Sequence, residues 1–117
     1  MKNFIKKVMS DKAILLTYEE ILRHPIGQKV KIAKGFRTER LPTTKNVIFF
    51  RVELDRGVEI PLGIHDCFEE FGLYYGKVRE TFSGEILSNK KNFKIPPYTK
   101  HGFLALENSI FYAYLYM

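Results

Sequence analysis

The strongest constraint on this chain is how often it must turn. Between residues 55 and 97 turn signals recur at short intervals: Asp55-Arg56-Gly57, Pro61-Leu62-Gly63, Gly76-Lys77, Ser83-Gly84, Ser88-Asn89 and Pro96-Pro97. Glycine supplies positive φ, and proline fixes φ while removing a backbone donor, so each of these marks a break. The runs left between them are roughly four to nine residues, strand length rather than helix length. Upstream, Val30 and Ile32 alternate with Lys29, Lys31 and Lys34, a period of two, and apolar residues cluster again at 46–54, NVIFFRVEL. Many short strands without a second long helix predict an all-β sandwich or barrel. The last run, 109–117, puts Ile110, Tyr112, Tyr114 and Tyr116 on one face and Phe111, Ala113, Leu115 and Met117 on the other. A strand covered on both sides is expected there.

The N-terminal part reads differently. Its first dozen residues are basic and irregular in pattern. Thr17 is then followed three places later by Glu20 in TYEEILRHP, a capping box, which predicts a short helix stopping before Pro25. Tyr18, Ile21 and Leu22 fall at i, i+3 and i+4, so one face packs while Glu19, Glu20 and Arg23 meet water. His24, at the helix end, is read as bonding the last carbonyls, with no chemical role. No internal repeat, low-complexity tract or linker divides the chain. With 117 residues, 45% of them apolar, it can build one core but not two. The expected organisation is one domain over 1–117: an N-terminal segment with a short helix over 1–27, and a β-barrel over 28–117.

The longest apolar runs, Ala13 to Leu16 and Val47 to Phe50, fall far short of the roughly 18 residues a membrane-spanning helix needs. Cys67 is the one cysteine, so no internal disulfide can form. The start MKNFIKKVMSDK lacks the apolar stretch of a secretory signal, and a cytoplasmic location is expected. Lys plus Arg number 19 against 13 for Asp plus Glu, a net charge of +6 that favours anionic partners in general. The charge is concentrated in Lys2, Lys6, Lys7, Lys12, Lys29, Lys31, Lys34, Arg37 and Arg40. Only Phe4 and Phe36 lie within these clusters and no recognition motif accompanies them. Solvated strand faces are therefore expected, not a nucleic-acid platform.

Chemistry is concentrated around two of the three histidines. The chain reads Gly57, five residues, Gly63-Ile64-His65, three residues, Glu69, six residues, Gly76; later it reads FKIPPYTKHGF, with Pro96 five places before His101. These segments resemble the paired motifs of the cupin superfamily, G-x5-H-x-H-x3,4-E-x6-G and G-x5-P-x-G-x2-H-x3-N. Gly57, His65, Glu69 and Gly76 match the first, Pro96 and His101 the second. Gly63 stands where the first motif has its first histidine, Lys90 and Tyr98 replace the two glycines of the second, and Ala105 stands at its asparagine. The resemblance covers about residues 46–117 and implies a double-stranded jelly-roll β-barrel, with the short helix packed outside.

Two imidazoles and one carboxylate suit divalent iron, manganese, nickel, zinc or copper, and leave coordination positions open for a substrate or oxygen. His65, Glu69 and His101 would supply that set, and only a closed or folded-over sheet brings His101 beside the other two. The family's fourth ligand falls at Gly63, so the site would bind metal more weakly or fill the gap with water. The implied function is that of a small metal-dependent cupin acting on a small substrate, neutral or anionic, by oxygenase, isomerase or epimerase chemistry. The alternative is a non-catalytic cupin that binds a small ligand without metal, as sensor or accessory protein. Alternation from Glu69 puts Phe71, Leu73 and Tyr75 on the ligand side, Phe103 follows His101 by two, and Tyr98 falls near the mouth. Cys67 would share the face of His65 and Glu69 if 63–69 stayed extended, as a soft ligand or oxidisable thiol; a turn there would instead make it packing. The strand-forming segment 28–34 is a candidate for pairing between two copies, so a homodimer is expected.

Overall fold

The computed structural model describes residues 1–89 and 91–117; Lys90, one of the two residues at motif glycines, lies outside the described residues. Two helices precede nine strands among the described residues: α1 (Lys2–Val8), α2 (Tyr18–Ile21), β1 (Lys29–Ala33), β2 (Phe36–Leu41), β3 (Val47–Leu54), β4 (Glu59–Gly63), β5 (Phe68–Tyr75), β6 (Val78–Glu80), β7 (Phe93–Ile95), β8 (His101–Ala105) and β9 (Ser109–Tyr116). The strands form two antiparallel sheets, ordered β1-β2-β3-β9-β5-β7 and β4-β8-β6. This is the all-β jelly-roll expected from the sequence, and the core lies between the sheets.

Alternation sets what faces inward. On β3, Ile48, Phe50, Val52 and Leu54 are buried, and on β9 so are Phe111, Ala113 and Leu115. The two strands pair over their full length, from Val47 opposite Tyr116 to Leu54 opposite Ser109. Phe71 on β5 sits at the centre, ringed by Phe93, Phe103 and Phe111 with centroids 5.2, 4.7 and 5.9 Å away. The expected double cover of β9 is not found. Its even face is roofed by cross-strand neighbours rather than by a second layer: Phe49 stacks on Tyr114 and Tyr112 at 4.4 and 5.5 Å, Phe68 stacks on Tyr116 at 5.6 Å, and Tyr114 stays exposed. Rings opposite one another in a ladder shield each other without further chain.

Three local expectations are corrected. The first residues are not irregular, because Phe4, Ile5 and Val8 share one side of α1 and lean on the core, with Lys6 and Lys7 in the last turn favouring its C-terminal dipole. Pro61-Leu62-Gly63 belongs to β4 instead of a turn. Proline is tolerated because β4 is an edge strand whose register with β8 shifts between Ile60 and Gly63. The capping box forms as expected, Thr17 Oγ1 accepting from the Glu20 amide at 3.2 Å, but α2 is a single turn, so Tyr18 and Ile21 are buried while Leu22 is exposed.

His24 is also not a helix cap. It is buried, bonded through Nδ1 to the Pro25 carbonyl at 2.9 Å and through Nε2 to Thr38 Oγ1 at 2.8 Å, with Phe4 and Phe50 edge-on to its ring. Arg40 donates to the Leu22 and His24 carbonyls in its place. The N-terminal segment is thus stitched to the barrel: Leu16 N–H donates to the Ile64 carbonyl at 2.9 Å and Tyr18 N–H to Asp66 Oδ1 at 2.7 Å, while Lys7 pairs with Glu20 at 2.6 Å within the segment. β1 is the outer edge of the larger sheet. No helix of the described residues is long and apolar enough to cross a membrane.

Candidate metal centre

Three separate segments deliver His65, Glu69 and His101 to one place. His65 follows the end of β4; Glu69 is the second residue of β5, on the inward face with Phe71 and Leu73; His101 opens β8, directly opposite Gly63, on the inward face with Phe103 and Ala105. One donor atom from each lies within 4.8 Å of the other two. Glu69 Oε1 is 3.3 Å from His65 Nε2 and 3.2 Å from His101 Nε2. Glu69 and His101 are both 6% exposed.

The outer nitrogens fix how the rings present themselves. His65 Nδ1 donates to the Leu16 carbonyl at 3.1 Å, and His101 Nδ1 donates to the Thr99 carbonyl at 3.0 Å. A carbonyl can only accept, so both Nδ1 atoms carry hydrogen, and in a neutral ring Nε2 is then a lone pair aimed at Glu69. Two lone pairs facing one carboxylate oxygen repel unless a cation lies between them, either a proton or a metal ion. Burial alone would raise the Glu69 pKa, but the charge and hydrogen bond of His101, helped by His65, outweigh it and hold the carboxyl well below the usual range. Burial alone would lower His101, and the Glu69 charge more than reverses that. The cluster is therefore built to hold positive charge.

The residues fit a divalent ion. Neighbouring donors around an ion with bonds of 2.0–2.2 Å stand about 2.8–3.6 Å apart, a range that contains both measured separations. The donor set of two imidazoles and a carboxylate suits first-row metals. At Gly63 an added Cβ would meet nothing within 4 Å, so the position of the family's fourth ligand is open space beside His101.

A cavity of about 110 Å³ adjoins the cluster, walled by both sheets and roofed by the N-terminal segment, including Phe4, Val8 and Leu16. Of the five residues expected at its wall, Phe103 lines it. Phe71 and Leu73 are packed in the core behind. Tyr75 is 61% exposed because the β5–β9 register slips between Leu73 and Tyr75, which reverses the face that alternation assigns it. Tyr98 is 68% exposed in a left-handed conformation, φ 61°; its amide donates to the His65 carbonyl at 2.7 Å while its phenol points away from the cavity wall. Cys67 follows a bend after His65, which breaks the alternation; it is buried as packing, and burial pushes its thiol up to about 12.

Sequence reasoning missed the supporting groups. The Leu16 and Thr99 carbonyls are backbone and leave no sequence signal. Glu80 is 3% exposed; its carboxylate accepts from the amides of Phe82 at 2.8 Å, Ser83 at 2.7 Å and Gly102 at 3.0 Å, anchoring the residue after His101. The two motif glycines of the first segment become intelligible here. Gly57 and Gly76 have φ of 84° and 90°, and a Cβ on Gly76 would collide with the Asn108 carbonyl and Ser109 Oγ.

No protein-family model matches the sequence, and no curated protein matches it. Solved structures do match. An RmlC-like cupin from Shewanella frigidimarina superposes with a TM-score of 0.69 at 17% identity, over 80% of this chain and 89% of that one. KdgF from Halomonas sp. gives 0.68 at 22%, over 76% and 86%. An oxalate decarboxylase variant from B. subtilis gives 0.66 at 19%, over 76% of this chain and 27% of that one. At these identities the likeness is one of architecture: the chain has the cupin fold.

Proposed function

We propose that His65, Glu69 and His101 bind a divalent first-row metal and that the chain is a small metal-dependent cupin enzyme acting on a small substrate in the adjoining cavity. The observation that carries this reading is the pair of Nδ1 hydrogen bonds to the Leu16 and Thr99 carbonyls, which leave two Nε2 lone pairs converging on one carboxylate oxygen. A cation must lie between these opposed acceptors, and a divalent ion meets both imidazoles and the carboxylate at once, which a single proton does not. When bound, the ion would supply Lewis acidity and open positions for substrate. The chain's own share is to orient both rings, to keep Glu69 ionised and to exclude water through the apolar walls. The superposed oxalate decarboxylase agrees with a catalytic use of this fold, and oxygenase, isomerase or epimerase chemistry suits the donor set.

The test is elemental analysis of protein purified without an affinity tag. Near-stoichiometric metal is expected, lost in His101→Ala and weakened in Glu69→Gln, whose amide keeps the shape but not the charge. Negligible metal after supplementation refutes the proposal. One observation favours the non-catalytic alternative. Among the described residues, Lys7 is the one cavity-lining side chain outside the cluster able to act as acid or base; it is already paired with Glu20, and the exposed Tyr75 and Tyr98 do not line the cavity. That alternative predicts ligand binding that is indifferent to metal removal.

A further inference from the structure

The cavity beside the cluster has one chemical character over most of its lining. Its walls are hydrocarbon, with Leu16, Phe50, Val52, Phe103 and Leu115 typical of them. Polar side chains enter the lining at few points among the described residues, and those outside the cluster are already engaged. The Lys7 ammonium is held by Glu20 at 2.6 Å, and the Thr38 hydroxyl is held by His24 at 2.8 Å. The polar capacity offered to a guest therefore lies at one end, at His65, Glu69 and His101.

From this we infer that the substrate is a compact, largely apolar molecule with a single anionic oxygen headgroup, the head at the cluster and the hydrocarbon body in the cavity. The inference rests on the metal reading above for the head and on the cavity alone for the body. An apolar cavity of about 150 Å³ is known to hold benzene, so about 110 Å³ holds roughly four non-hydrogen atoms, the size of the hydrocarbon body without its headgroup. A sugar or other polyhydroxylated acid of that size would bring hydroxyls that find no partner along these walls and lose their bonds to water on entry. A small dicarboxylate would bury its second charge against hydrocarbon, since Lys7 is already neutralised.

The experiment uses the full chain in two arms. In the first, Co(II)-loaded protein is titrated with isobutyrate and with 3-hydroxypropionate and succinate, which lack the five-membered chelate of α-hydroxy acids and oxalate, and the cobalt visible spectrum is followed. Isobutyrate is expected to bind at least about tenfold more tightly than 3-hydroxypropionate; equal or reversed ranking, or tighter succinate binding, overturns the inference. In the second, metal-free protein is presented with isobutanol and glycerol, with saturation transfer to the ligand protons as readout. Transfer to isobutanol alone is expected, and transfer to glycerol of equal strength overturns the inference. Failure of cobalt to bind would sink the metal reading and the headgroup assignment with it, and the second arm would still decide the apolar body. Ala113→Leu, which fills the cavity, and Ile14→Ser, which removes hydrocarbon from its half-open rim, should each weaken isobutyrate at least about threefold. Wild-type affinity in both variants would place the ligand elsewhere and refute the inference.

Discussion

Glu80→Ala tests whether a carboxylate outside the cluster holds the cluster's strand in place. The wild-type carboxylate closes the 81–84 turn through the Phe82 and Ser83 amides and reaches across to Gly102 on β8. Phe82 and Ser83 are exposed, so their amides can turn to water, and losing each bond costs about 0.5–1.5 kcal/mol. The Gly102 amide is buried and would be left unpaired, which costs about 1–3 kcal/mol. The variant should therefore lose about 2–6 kcal/mol. For 117 residues the unfolding entropy is about 0.25 kcal/mol/K, so Tm should fall by about 8–24 °C in a circular-dichroism melt. Glu80→Gln, which retains one accepting oxygen, should fall between the variant and the wild type. The pH dependence has a defined sign. Burial raises the Glu80 pKa but its amide donors outweigh that and lower it, so the stabilisation is present above the ordinary value of 4.5 and disappears as pH falls through the lower folded value. The gap between Glu80→Gln and wild type should accordingly narrow in acid. A Glu80→Ala melt within 2–3 °C of wild type, roughly half a kcal/mol on that scale, would refute the reasoning.

Gly63→His should add a fourth donor in space that is already open, raising metal affinity by about tenfold or more in a competitive chelator titration; unchanged affinity would mean the new ring cannot turn toward the cluster. Gly76→Ala should cost clearly more stability than Gly57→Ala in chemical denaturation. Both pay about 1–2 kcal/mol for positive φ, but only the first also collides with Asn108 and Ser109. Burial holds His24 below its ordinary 6.5 despite the Pro25 carbonyl, so its contribution is complete above that pH and is lost as pH falls below it, because the unfolded chain then takes up the proton more readily. A stability profile from pH 7 to 5 should therefore slope less steeply in His24→Gln than in wild type, and parallel profiles would contradict the assignment.

The convergence of His65, Glu69 and His101 was legible because strand alternation and turn chemistry are local properties: Glu69 is inward for the same reason as Phe71, and the Pro96-Pro97 corner ends β7 and turns the chain toward the strand that His101 opens. The Thr17–Glu20 box was legible for the same reason. What escaped is non-local. The slip at Leu73/Tyr75 is a property of pairing with β9, so parity counted along β5 could not place Tyr75. Pro61 reads as a breaker in any one-dimensional scan and is acceptable only because β4 has a free edge. In α1 three apolar residues among lysines carry too little periodicity to stand out, and the helix exists because the barrel offers it a surface. Nothing in the string of letters around Glu80 shows that its partner lies 22 residues away.

The carbonyl that sets the His65 tautomer belongs to Leu16, far outside the stretch that carries the family motifs. The barrel is consequently not a portable cassette. A fragment trimmed to the motif-bearing residues 46–117 would carry all three donor side chains and yet leave one imidazole free to swivel and to present its nitrogens in either sense. It would also lose β1 and β2 from the larger sheet. Anyone grafting this cluster into another scaffold, or placing a fusion partner at the N-terminus, is altering part of what orients its side chains, and the first seventeen residues should travel with the strands they brace.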